Sequence, residues 1–188
     1  MRRLFAFGAA ALLLASCAGP PLTVYTLNVP TSGADGSPLG AGAVVIQVVR
    51  VAVPDELDSQ DIVYRNGDVL HRSQVGRWSS RLSLGITDRL TERLAARRPD
   101  ALVTDQPRAD AATYRLLINI SRLDVTASGT AVLEANWTIV PRDAAKPVFR
   151  DRVRLTASGP VATDQDVVAL VGGLLDRLAA AIDVAGLR

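Results

Sequence analysis

Two stretches of this chain carry apolar residues at helical spacing, and the segments between them alternate apolar with polar. Trp78, Leu82, Ile86, Leu90 and Leu94 recur at every fourth position. That spacing lines one face of a helix and predicts α-structure from about Gly76 to Arg97. Arg81, Asp88, Glu92 and Arg93 fall on the opposite face. Arg97-Arg98, followed by Pro99, reads as a solvated helix end whose positive charge complements the dipole. Asp164 opens a second helix with a broad stripe of Val167, Val168, Val171, Leu174, Leu175, Leu178 and Ile182. Gly172-Gly173 interrupts it at a cost of roughly 1 kcal/mol per glycine relative to alanine. Close approach of the backbone to a sheet explains two glycines there; a kink is the alternative.

The strand patterns are equally direct. Val44 to Val53 is rich in β-branched residues and reads as a buried strand. Pro54-Asp55-Glu56-Leu57-Asp58 then turns the chain. Asp61–Arg65 and Asp68–Arg72 flank Asn66-Gly67, which predicts a hairpin closed by a type I′ turn. Ala101 to Thr104 is a short strand, and Pro107 to Ala112 a loop. Tyr114 to Val125 alternates, Ser128-Gly129 turns, and Leu133, Ala135, Trp137 and Ile139 alternate with Glu134, Asn136 and Thr138. After a turn over Pro141 to Pro147, Phe149, Asp151, Val153 and Leu155 face one way and Arg150, Arg152 and Arg154 the other. These last three strands form an antiparallel meander with one wet face. Tyr25-Thr26-Leu27 is too apolar to float free and adds a short strand. The whole predicts one α+β domain: a mixed, largely antiparallel sheet with two amphipathic helices packed on one face.

The amino terminus follows a different logic. Met1-Arg2-Arg3, an apolar run from Leu4 to Ala15 and then Leu14-Ala15-Ser16-Cys17 form a secretory signal ending in a lipobox. The run is short of the roughly 20 residues a spanning helix needs. Cys17, the single cysteine of the chain, is the expected lipidation site (thioether-linked diacylglycerol with a further acyl chain such as palmitate), with residues 1–16 removed. The precursor has 21 basic and 19 acidic residues; loss of Arg2 and Arg3 leaves 19 against 19. The basic excess therefore belongs to the signal, and no nucleic-acid partner is expected.

Catalytic candidates fare poorly. His71 is the sole histidine and sits in a hairpin arm, where a surface role is expected. Asp55, Glu56, Asp58 and Asp61 lack calcium-loop spacing and read as a solvated loop. The glycines from Gly33 to Gly42 fit no phosphate or dinucleotide fingerprint. No catalytic residue, metal site or cofactor is assigned. The Arg150, Arg152, Arg154 row is the one charged feature with directional spacing. It suits acidic headgroups or an acidic partner, or it pairs with Glu134 on the adjacent strand.

Several segments together resemble a known family. "IQVVRVAVPDELD", "DIVYRNGD" and "RWSSRL" between Ile46 and Leu82, "YTL" at Tyr25, "ADAATYRLLINISRLDV" from Ala109 and "AVLEANWTI" from Ala131 are similar to the core of PqiC-type auxiliary lipoproteins of ABC transport systems. One departure is that Arg77-Trp78 is followed by Ser79-Ser80 where the family usually has a proline. The resemblance implies an outer-membrane lipoprotein facing the periplasm. Its partners would be a periplasmic protein of the mammalian-cell-entry (MCE) type with its permease and ATPase, in a system moving lipids or other hydrophobic molecules between membranes. It also implies a homo-oligomer; the absence of a catalytic set in the sequence predicts no enzymatic activity. A structural envelope lipoprotein without a transport role is the alternative. On this reading residues 17–43 are the acylated N-terminus, a short strand and a flexible loop, and residues 44–188 are the auxiliary domain. The densest motifs nominate Pro54, Leu57, Asp58, Arg65, Arg77 and Trp78 as a partner interface, with Trp78 as readily core as surface.

Overall fold

The computed structural model describes residues 21–27, 38–40, 42–107 and 111–188. The signal segment, Cys17 and most of the loop from Pro30 to Gly42 lie outside these residues. The strands are β1 (Thr23–Tyr25), β2 (Val45–Val48), β3 (Asp61–Asn66), β4 (Val69–Trp78), β5 (Leu102–Thr104), β6 (Tyr114–Val125), β7 (Thr130–Pro141) and β8 (Phe149–Ser158). Helix α1 spans Leu82–Arg97 and α2 spans Asp164–Ala181.

The α+β class, the two helices and the mostly antiparallel pairing are as the patterns predict. The strands, however, divide between two sheets, ordered β1-β4-β3 and β5-β2-β6-β7-β8. In the larger sheet β2 runs parallel to both β5 and β6, and β6, β7 and β8 form the antiparallel meander. In the smaller one, β3 and β4 are the hairpin and β1 lies parallel to β4. A single bridge between Arg65 and Thr126 joins the sheets.

Alternation decides what is buried. Tyr114, Leu116, Ile118 and Ile120 of β6 point inward, opposite Ile139, Trp137 and Ala135 of β7. Leu90 and Leu94 of α1 and Leu174, Leu175 and Leu178 of α2 are fully buried and belong to the same core. A side chain of this size contributes roughly 1.5–3 kcal/mol when withdrawn from water. The segment from Val44 to Val53 is a regular strand for only four residues. Beyond Val48 it follows β6 through isolated bonds such as Ala52 N–H to the Ile118 carbonyl at 3.0 Å, while Val51 N–H donates to Thr87 Oγ1 on α1 at 2.9 Å.

Two local expectations change. The hairpin pairs Asn66 with Val69, so its two-residue loop is Gly67-Asp68, one position later than Asn-Gly. Gly67 has φ +58° and no non-glycine described residue has positive φ, which excludes type I′ and fits the II′ pattern with glycine first. The helix predicted from Gly76 begins instead at Leu82. Gly76, Arg77 and Trp78 pair with β1, and Arg77 also lies opposite Asp61 of β3, so their backbone groups are taken by the sheet. Trp78 keeps step with Leu82 by coincidence of spacing, and it is buried as the last residue of a strand.

Asp164 does open α2. Thr163 caps it: its hydroxyl accepts from Asp166 N–H, and the Asp166 carboxylate accepts from Thr163 N–H, closing a capping box. The close approach inferred for the glycine pair is real at one residue and directed elsewhere. A Cβ on Gly172 would lie 3.3 Å from Arg89 Nη2, so Gly172 makes room for a side chain of α1 and not for the sheet. Gly173 faces open space.

Candidate functional surface

Asp58 is held by the start of α1. Its Oδ1 accepts from Ser83 N–H at 3.1 Å, which gives α1 a remote cap that Arg81, the residue at the N-cap position, does not supply. Arg50 reaches Asp58 Oδ2 at 3.2 Å and Ser83 Oγ at 2.7 Å, and Arg81 lies 3.6 Å from the same carboxylate. Burial pushes this carboxyl up, but the two Ser83 hydrogen bonds and the charges of Arg50 and Arg81 outweigh it and leave the pKa below the ordinary value. An anion at a helix N-terminus also complements the dipole.

The same pattern recurs around the hairpin. Arg77 lies 3.3 Å from Asp61, and its Nη1 donates to the carbonyls of Ser73 and Gly76 at 2.6 and 2.7 Å. Arg65 Nε donates to Asp124 Oδ1 at 2.9 Å, and Arg122 Nε to Oδ2 at 2.8 Å. Asp124 is buried, which by itself raises its pKa, yet the two arginines hold it below the ordinary range. Leu57 and Trp78 are 5% exposed, so neither presents a side chain to a partner. Pro54, Asp58, Arg65 and Arg77 keep part of their surface. His71 stacks on Tyr64 with ring centroids 5.2 Å apart, on an exposed hairpin arm as expected.

An apolar crevice runs beneath this region, lined by Leu57, Tyr64, Trp78, Leu82, Leu123 and Val171. Its volume is about 20 Å³. That is room for about one water and far too little for an acyl chain.

Sequence reasoning missed the contacts that fasten the helices to each other. Arg89 Nε and Nη2 donate to the two oxygens of Asp176 at 3.0 and 2.8 Å, and Arg93 Nε donates to Oδ1 at 2.8 Å. Arg89 also donates to the Leu27 carbonyl, tying the segment after β1 to α1. Arg97 Nη1 donates to the carbonyls of Ala179 and Ile182, at 2.5 and 3.0 Å, and Arg98 to that of Val184. Later residues of α1 meet later residues of α2, so the helices run side by side in the same direction. Their negative ends lie together, and Arg97 and Arg98 neutralise them. The Arg97-Arg98 pair is therefore only half a solvated end: Arg97 is exposed, whereas Arg98 is 6% exposed. Arg89, Arg93 and Arg97 stand four apart, a column visible in the sequence; what was missing was the acid opposite. Asp88 faces Asp105, and burial together with that neighbouring carboxylate raises its pKa.

The Arg150, Arg152, Arg154 row lies on the exposed face of β8, opposite Thr138, Asn136 and Glu134 of β7. Arg154 reaches Glu134 at 3.0 Å, as the pairing alternative expects. Arg150 and Arg152 make no such pair among the described residues.

These features define a small α+β domain without a catalytic constellation among the described residues, whose polar groups chiefly bind its own backbone and helices. A family model, the ABC-type transport auxiliary lipoprotein component, matches residues 25–183. The chain belongs to that family. Among solved structures, an uncharacterized protein aligns with a TM-score of 0.68 at 18% identity, covering 86% of this chain and 95% of its own. Protein XCC0632 from Xanthomonas campestris aligns with a TM-score of 0.60 at 17% identity, covering 84% of this chain and 90% of its own. At such identities the likeness concerns the fold. Comparison with curated proteins finds no match. No helix among the described residues is long and apolar enough to cross a membrane.

Proposed function

We propose that the chain is a non-catalytic periplasmic lipoprotein, anchored in the outer membrane through acylated Cys17. It serves an MCE-type ABC transport system that moves lipids or other hydrophobic molecules between membranes. The observation that carries this reading is the family match, which takes in nearly all of the folded chain and begins just after the lipobox cysteine. The crevice volume supports a docking role over a carrier role, since that crevice is too small for a lipid tail. Residues 17–43 then serve as anchor, first strand and loop, and residues 44–188 as the docking body. The docking face is formed by the exposed parts of Pro54, Asp58, Arg65 and Arg77 with the hairpin tip, where Val69 is 57% exposed. Self-association of the body completes the assembly.

Membrane fractionation of Cys17→Ser, with capture of the cognate MCE protein, permease and ATPase, tests the reading. The variant should leave the outer membrane while its purified body still captures the MCE protein. Retention of the variant in the outer membrane would refute the anchor. Failure of wild type to capture any transporter component would refute the transport role and favour a purely structural lipoprotein. Light scattering on the body measures self-association.

A further inference from the structure

The three arginines of β8 are not equivalent. Arg154 is paired with Glu134. Arg150 and Arg152 are exposed, stand on the same face two residues apart, and have no ion-pair or hydrogen-bond partner for their guanidinium groups among the described residues. Between them and the neighbouring strand lies a shallow open depression of about 360 Å³, bordered by Arg150, Arg152, Asn136 and Thr138, with Trp137 and with Asp151, whose carboxylate accepts from Arg152 N–H at 2.8 Å. Asn136 sits opposite Arg152 and Thr138 opposite Arg150. Two guanidinium forks beside an amide and a hydroxyl make a donor-rich floor, the chemistry that recognises phosphate oxygens.

The surroundings extend this character. On the same face, Leu117 of β6 lies beside Thr138 and Asn119 beside Asn136. Arg115 is exposed one register step further along β6. The acids that the register of β6 and β7 places on this face are Glu134, already shared by Arg154 and, at 3.9 Å, Arg122, and Asp124, which is buried and held by Arg65 and Arg122. The mature chain is balanced in charge, so an uncompensated cationic face is a local arrangement and not a reflection of composition. The face is the outer side of a sheet, broad and open, with the exposed Leu117 among its donors.

We propose that Arg150 and Arg152, with Asn136 and Thr138, bind the phosphodiester headgroups of anionic phospholipids, seating this sheet face on a bilayer surface. The proposal rests on the membrane-associated reading above and deepens it by naming the surface that meets the headgroups. Its test needs neither anchor nor transporter, so the two stand or fall separately. Among the described residues the buried core runs from Leu27 to Val184, all of it within residues 18–188.

The experiment is flotation of purified residues 18–188 with vesicles of phosphatidylcholine alone and of phosphatidylcholine containing about one third phosphatidylglycerol. Binding is expected to the anionic vesicles, to weaken with added salt and to be slight on neutral ones. Arg150→Ala with Arg152→Ala should lower the partition constant by roughly 30-fold, at about fivefold per surface arginine. Arg154→Ala combined with Glu134→Ala, which removes the pair and leaves the net charge unchanged, should change it by less than about twofold. Unchanged melting of the variants would assign any loss to the site. Equal binding to neutral vesicles, or an equal loss from the charge-neutral removal of Arg154 with Glu134, would overturn the proposal. So would binding of inorganic phosphate without binding of vesicles, and so would a double variant that keeps vesicle binding but loses capture of an acidic protein partner.

Discussion

Changing Asp176 to asparagine keeps the shape of the link between the helices and removes its charge. Asp176 accepts two hydrogen bonds from Arg89 and two from Arg93, the second of these long at 3.5 Å. Hydrogen bonds to charged groups contribute roughly 1.5–3 kcal/mol each when shielded. The Asp176 side chain is 39% exposed, so solvent screens much of that, whereas Arg89 is only 11% exposed. After the change, the Arg89 guanidinium keeps a charge largely withdrawn from water with the Leu27 carbonyl and a neutral amide as partners. The net loss comes to about 2 kcal/mol. For a domain of this size that lowers the Tm by about 4–8 °C. Thermal and urea unfolding of residues 18–188, followed by circular dichroism, measures it, and a double-mutant cycle with Arg89→Met isolates the pair. The acid limb supplies a second readout. Burial raises the Asp176 pKa, but the arginine hydrogen bonds and charges lower it further, to below the ordinary 3.8. The native state then binds fewer protons than the unfolded chain. The contribution is complete above the unfolded value and is lost as pH falls through the folded one. The gap between wild type and variant should therefore narrow in acid. Melting of Asp176→Asn within about 1 °C of wild type at pH 7, or a coupling near zero, would refute the reasoning.

Other substitutions separate structural roles that look alike in sequence. Gly173→Ala should stabilise the domain by about 1 kcal/mol, because a Cβ there meets nothing within 4 Å and alanine is the better helix former. Gly172→Ala should gain less, since its Cβ must displace Arg89; equal gains in urea melts would contradict that packing. Gly129→Ala should cost about 2–4 kcal/mol, because φ is +84° and the new Cβ would lie 2.3 Å from the Gly159 carbonyl oxygen. Asp58→Ala should lower stability by about 1–2 kcal/mol by uncapping α1, and an unchanged melt would mean that Asp58 serves only at the surface.

Where structure was set by neighbours in the chain, the patterns sufficed. β6 and α2 begin where the alternation and the apolar stripe begin, because alternation places side chains locally and the Thr163 box closes within four residues. The reading failed where one local pattern served two conformations. Trp78 stands four before Leu82 whether it belongs to the helix or to the preceding strand. Only pairing with Tyr25 across the small sheet selects the strand.

Taken alone, the sequence determined an α+β domain with two amphipathic helices, a three-strand meander, a lipobox at Cys17 and the lack of a recognisable catalytic motif. These rest on composition and on periodicities that depend on a few adjacent residues. The tertiary structure decided which charges are free. It spent Asp58, Arg89, Arg97 and Arg98 on a helix cap and on carbonyls far away in the chain, Arg65 on the distant carboxylate of Asp124, and Arg77 on nearby carbonyls and Asp61. It paired Arg154 with Glu134 and left Arg150 and Arg152 open. An arginine looks the same in sequence in either state, because its free energy depends on an acid or carbonyl that only folding brings within reach.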